Sequence, residues 1–69
     1  MVSKLNYYED RILQVLRFSI RLLNTKEVAY YAKIDWATAD KYLKLLRRKG
    51  IVEYKLVGGI NYWKIKGFI

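Results

Sequence analysis

The hydrophobic pattern of this chain changes period at Gly50. Before it, apolar residues recur every three or four positions, the spacing of helices with one buried face. After it they alternate, the spacing of a half-buried strand. Both periods in that order predict helices followed by a hairpin, an α+β domain. Proline is absent, so punctuation falls to four glycines and to the cap-type residues Asn6, Asn24, Thr25 and Asp35. With 69 residues the chain has room for one domain, 1–69. A domain of that size buries only about 60% of its extended surface, so its core has little to spare.

The first helix is expected from about Asn6 to Leu23. Asn6 and Glu9 have capping-box spacing, and Ile12, Leu16, Ile20 and Leu23 fall in one arc, with Leu5 and Leu13 at its edges. A second apolar stripe, Tyr7, Val15, Phe18 and Leu22, exceeds what one buried face needs. The second helix is expected over Lys26–Ala32, with Thr25 as N-cap, Glu27 in the first turn and Val28, Ala29 and Ala32 facing inward. Lys33 and Ile34 make a brief turn to Asp35, the expected N-cap of a third helix over Trp36–Lys49 that Gly50 stops.

Strands are expected at Ile51–Val57 and Ile60–Ile65, joined by Gly58-Gly59, a two-residue link suited to positive φ. Pairing Val57 with Ile60 sets Tyr54 opposite Trp63 and Val52 opposite Ile65 on one side. On the other, Glu53 meets Lys64 and Lys55 meets Tyr62. Tyr54 and Trp63 are then the apolar core beneath the hairpin.

Several functions are disfavoured from composition. Without cysteine or histidine there is no disulfide, no usual zinc site and no familiar nucleophile or imidazole base. The six carboxylates show no pairing, so we expect no enzyme, no cofactor and no metal. The longest uncharged stretch, Leu56 to Trp63, is far shorter than the roughly 20 residues of a membrane span. The opening MVSKLNYYEDR lacks a signal-peptide core. A cytoplasmic, nucleoid-associated protein without membrane or small-molecule partners is the expectation. Fourteen Lys+Arg against six Asp+Glu leave +8, which calls for a polyanionic partner.

Five of the fourteen basic residues lie between Lys41 and Lys49, the densest charge in the chain. At about 100° per residue, Ala39, Leu43, Leu46 and Tyr42 share one side of the third helix. Ala37, Lys41, Lys44 and Arg48 share the opposite side, with Thr38 and Leu45 at its flank. Small residues at the N-terminal turn followed by cations suit a helix laid in the major groove. The same residues also suit a solvated helix face, since Lys and Arg are good helix formers. Thr38 has two readings, a phosphate or thymine-methyl contact or a plain first-turn residue. Asp35 reads as a cap; Asp40 reads as an offset to the helix dipole or a reader of cytosine, the first favoured; Trp36 reads as packing at the core edge or stacking on a base, packing favoured. Of Tyr30 and Tyr31, one is expected to place its hydroxyl on a phosphate and the other to shield the core.

The order of elements is that of a winged helix-turn-helix, and the residues resemble that family. Glu27-Val28-Ala29, Ile34-Asp35, Thr38, Lys41-Tyr42-Leu43-Lys44, Leu46, Gly50 and Ile51-Val52 lie over its pattern. Over about residues 24–65 the chain looks most like small archaeal winged-helix DNA-binding proteins, in the neighbourhood of MarR-like and ArsR-like regulators. The resemblance implies double-stranded DNA as partner, with helix 36–49 in the major groove and hairpin 51–65 on the backbone. Lys33 stands where the family usually has glycine, a substitution costing about 1 kcal/mol if φ is positive there. The tip Val57-Gly58-Gly59-Ile60 lacks the arginine of many minor-groove wings, so Lys55 and Lys64 are expected to touch phosphate.

A homodimer on a palindrome is expected through Tyr7, Val15, Phe18 and Leu22, with Tyr8, Phe68 and Ile69 as candidates to join. The alternative is that the C-terminal tail covers that stripe within one chain. Three functions stay open: a sequence-specific regulator acting as a repressor, a weakly selective chromatin protein, and a protein-interaction adaptor.

Overall fold

A computed structural model describes residues 6–67. The elements are α1 (Tyr7–Phe18), β1 (Leu23–Asn24), α2 (Thr25–Ala32), α3 (Trp36–Arg48), β2 (Val52–Val57) and β3 (Ile60–Ile65). The architecture is α+β, three helices against a small antiparallel sheet of strand order β1-β3-β2. No helix among the described residues is long and apolar enough to cross a membrane.

Each helix begins at a side chain that satisfies its free amides. Asn6 accepts from the Glu9 amide at 2.8 Å while Glu9 accepts from the Asn6 amide at 3.1 Å, closing the expected capping box. The second box differs from expectation: the N-cap is Asn24, not Thr25, with the same reciprocal bonds to Glu27 at 2.8 and 3.0 Å. Thr25 is instead buried in the first turn, where its hydroxyl accepts a 2.9 Å hydrogen bond from the indole N–H of Trp63. Asp35 caps α3 as expected.

Two helices end in the same way, with the Schellman pattern of hydrogen bonds. At α3, Gly50 has φ 80°; its amide donates to the Arg47 carbonyl and the Ile51 amide to that of Leu46. At α2 the equivalent left-handed residue is Lys33, φ 61°, with Lys33 donating to Tyr30 and Ile34 to Ala29. The backbone there does need positive φ, and a lysine bears it.

The end of α1 departs from the sequence pattern. The helix stops at Phe18, because Ser19 turns extended and its side chain bonds the backbone of Arg21 at 2.5 and 3.3 Å. Local side-chain bonds of this kind compete with the helix. Ile20 is thereby fully exposed rather than in the core, while Leu23 is buried from a strand that periodicity did not anticipate. That strand pairs Leu23 with Trp63 and Asn24 with Tyr62.

The hairpin register agrees at every pair, from Val57↔Ile60 to Val52↔Ile65. Gly58 and Gly59 both take positive φ, as the two-residue turn demands. The core gathers Ile12, Leu16, Leu23, Val28, Ala32, Leu43, Leu46, Val52 and Trp63. Tyr54 departs from expectation: it stays exposed at the sheet edge, its ring 5.5 Å from that of Trp63. Leu5, Phe68 and Ile69 lie outside the described residues.

One ion pair joins the start of α1 to the end of α3. Glu9 is buried and accepts from Lys49 Nζ at 2.9 Å. Burial pushes its carboxyl up, but the bonds from Lys49 and the Asn6 amide, with the lysine's charge, outweigh that. The carboxyl is held below its ordinary value.

Two outcomes follow for stability. Lys33→Gly removes the left-handed strain, partly offset by glycine's freedom in the unfolded chain. Urea melts should show a gain of about 0.5–1 kcal/mol; a loss would mean that the lysine side chain itself stabilises the turn. The Glu9 contribution is complete above the free carboxylate's value of 4.5 and fades as pH falls through the lower folded value. Glu9→Gln should cost about 1–3 kcal/mol at neutral pH and shrink the acid-side loss of stability, both read from melts between neutral and acid pH.

Candidate nucleic-acid interface

The faces of α3 sort as helical geometry requires. Ala39, Leu43 and Leu46 are buried, while Ala37, Lys41, Lys44 and Arg48 are all exposed, forming one cationic ridge directed away from the core. Tyr42 and Leu45 are half-buried at its margins.

The ridge is braced by its neighbours. Lys41 Nζ lies 5.3 Å from the centroid of Tyr42, whose ring stacks on Tyr8 of α1 at 5.4 Å. Lys44 pairs with Asp40 one turn back at 3.0 Å, an exposed contact worth only about 0.3–0.5 kcal/mol and readily exchanged for a phosphate. Asp40 thus has a definite partner beyond any dipole role. Thr38 donates its hydroxyl to the Asp35 cap at 2.6 Å, from the first turn of α3. That bond, with the Thr38 amide, holds the Asp35 carboxyl below its ordinary range.

Trp36 contradicts the core-edge expectation, being 56% exposed at the first position of α3. Ile34, from the preceding turn, supplies the apolar contact to the core instead. Tyr30 and Tyr31 are both exposed on α2, set edge-to-face at 5.2 Å, so neither shields the core.

Lys55 and Lys64 lie on the hairpin face opposite Tyr54 and Trp63. Lys64 is 3.2 Å from Glu53, its cross-strand partner. A tie that sequence reasoning missed connects this hairpin to α3: the Arg47 guanidinium sits 4.5 Å above the ring of Tyr54. Its only sequence signal was an aromatic on the apolar side of the hairpin, next in space to the last turn of α3.

The second apolar stripe is broken by the early end of α1. Tyr7 and Phe18 are exposed, but Val15 leans against the core. Leu22 is carried off toward Glu53, Tyr54 and Lys64 beside the sheet. What remains is an open groove of about 500 Å³ beside Val15, Phe18, Ile20 and Tyr31. Arg11 is committed there, donating Nε to the Ala32 carbonyl at 2.8 Å.

Compared with known proteins, the chain matches no protein-family model and no curated sequence.

The Arg47–Tyr54 contact can be weighed directly. A double-mutant cycle of Arg47→Ala and Tyr54→Ala, read by urea melts, should give a coupling of about 0.5–1 kcal/mol; zero coupling would mean that the two side chains are merely adjacent.

Proposed function

We propose that the chain is a winged helix-turn-helix module that binds double-stranded DNA as a small transcriptional regulator, with α2 and α3 as the helix-turn-helix and β2–β3 as the wing. One observation carries this reading: the ridge Ala37, Lys41, Lys44 and Arg48 lies outward while Ala39, Leu43 and Leu46 hold α3 from behind. Small residues at the leading turn let the backbone approach base edges, and the cations behind them meet phosphate or guanine. Lys55 and Lys64 then steady the wing on the backbone. Tyr30 in the last turn of α2 and Trp36 at the first position of α3 are both exposed and are further candidates for the sugar-phosphate edge.

A homodimer on a two-fold site belongs to the same proposal, its surface reduced to Tyr7, Phe18 and the newly exposed Ile20. The +8 charge makes such a dimer depend on salt or on DNA. A weakly selective architectural role is the second reading, favoured by a hairpin tip without any base-reading side chain.

Titration against a selected duplex and a random one, across salt concentrations, tests this. About five phosphate contacts should give a log–log salt slope on the order of −4. Lys41→Ala should weaken binding by about 1–2 kcal/mol with the fold intact. A regulator prefers the selected duplex by orders of magnitude; an architectural protein shows the slope without the preference. Tight binding that ignores salt, or none at all, would overturn the proposal.

A further inference from the structure

The outer half of the hairpin contributes no buried residue to the core of this fold. Every residue from Tyr54 to Ile60 is exposed, yet the end is apolar: Leu56 is 63% exposed, Val57 50% and Ile60 46%. Val57 and Ile60 face each other across the turn, and Leu56 stands on the opposite face, so both sides of the tip are greasy. Gly58 and Gly59 add no side chain, and space is open around them. Hairpin ends of stable monomers are usually blunted with charge, since a bare apolar edge invites association. This one is blunted with nothing.

Its surroundings indicate the occupant. Outward of the Glu53–Lys64 pair the hairpin carries no carboxylate, and its one charge there is Lys55, two residues back from Val57. An apolar point with a cation just behind it and no carboxylate beside it complements stacked bases behind phosphates. The minor groove, roughly 6 Å wide, exposes the edges of the base steps. Apolar side chains of this kind enter base steps from that groove, unstack them and kink the duplex toward the major groove.

We propose that the tip formed by Leu56, Val57 and Ile60 is a wedge that enters a base step from the minor groove and bends the DNA. This rests on the DNA-binding reading above and adds to it a mechanical action. The cations of α3 hold the duplex; the tip deforms it. Selectivity at the wedge then follows the ease of unstacking, so flexible TA or CA steps are favoured over stiff A-tracts.

The test uses the full chain and a duplex of about 24 base pairs carrying a dye at each end, with 2-aminopurine at a central TA step. Wild-type protein should shorten the end-to-end distance as for a bend on the order of 40° and brighten the 2-aminopurine. The variant Leu56→Ser/Val57→Thr/Ile60→Thr, all at exposed positions, should bind about tenfold more weakly, leave the duplex straight and leave the 2-aminopurine dark. A bound wild-type protein on a straight duplex with dark 2-aminopurine overturns the wedge and leaves DNA binding standing. Failure of wild-type protein to bind any duplex overturns both. Loss of binding to anionic phospholipid vesicles in the triple variant, with the duplex straight throughout, would assign the tip to a lipid surface and likewise overturn the proposal.

Discussion

Trp63 is the interaction on which the rest depends. It sits on the central strand, pairs with Leu23 on one side and Tyr54 on the other, and is almost wholly buried. Its indole N–H donates to Thr25 at the head of α2, so one side chain joins sheet, first loop and second helix. A chain of 69 residues without cysteine or histidine has no disulfide and no ordinary zinc site to hold it. An aromatic of this size, buried with its polar atom satisfied, is the strongest staple left to it. The hairpin keeps a fixed relation to α3 because Trp63 and Val52 share a core with Leu43 and Leu46.

Around that anchor the polar contacts are arranged by strength. The pair of buried Glu9 with the more exposed Lys49 ties the first helix to the third. Exposed pairs such as Lys44–Asp40 and Lys64–Glu53 are weak and exchangeable, and each involves a lysine proposed to meet DNA. The fold therefore spends its firm electrostatics on holding α3 in place and keeps its loose electrostatics at the surface where a polyanion would arrive.

Much of this was legible in the sequence where a local rule settled the matter. Gly58-Gly59 admits one two-residue turn, and that turn fixed every cross-strand pair. The leucines of α3 fixed which cations face outward. Legibility failed where tertiary contacts overrode a local pattern. Ile20, Leu22 and Leu23 continue the helical stripe of α1, yet the Ser19 side chain ends the helix and Leu23 gains a place beside Trp63. Asn24 and Thr25 are both good caps, and only the indole of Trp63 settles which does what. Trp36 shows the limit of helical projection: the angle puts it at the core edge, but angle alone does not reveal that Ile34 already fills that contact.

The central claim is that the outward face of α3, with the hairpin beside it, is where a duplex docks. Amide chemical shifts of isotope-labelled protein, followed as duplex DNA is added, test it most directly. The account predicts shifts concentrated at Ala37, Lys41, Lys44 and Arg48, with a second group from Lys55 to Ile60. Shifts confined to the groove around Phe18 and Ile20, with α3 silent, would contradict it.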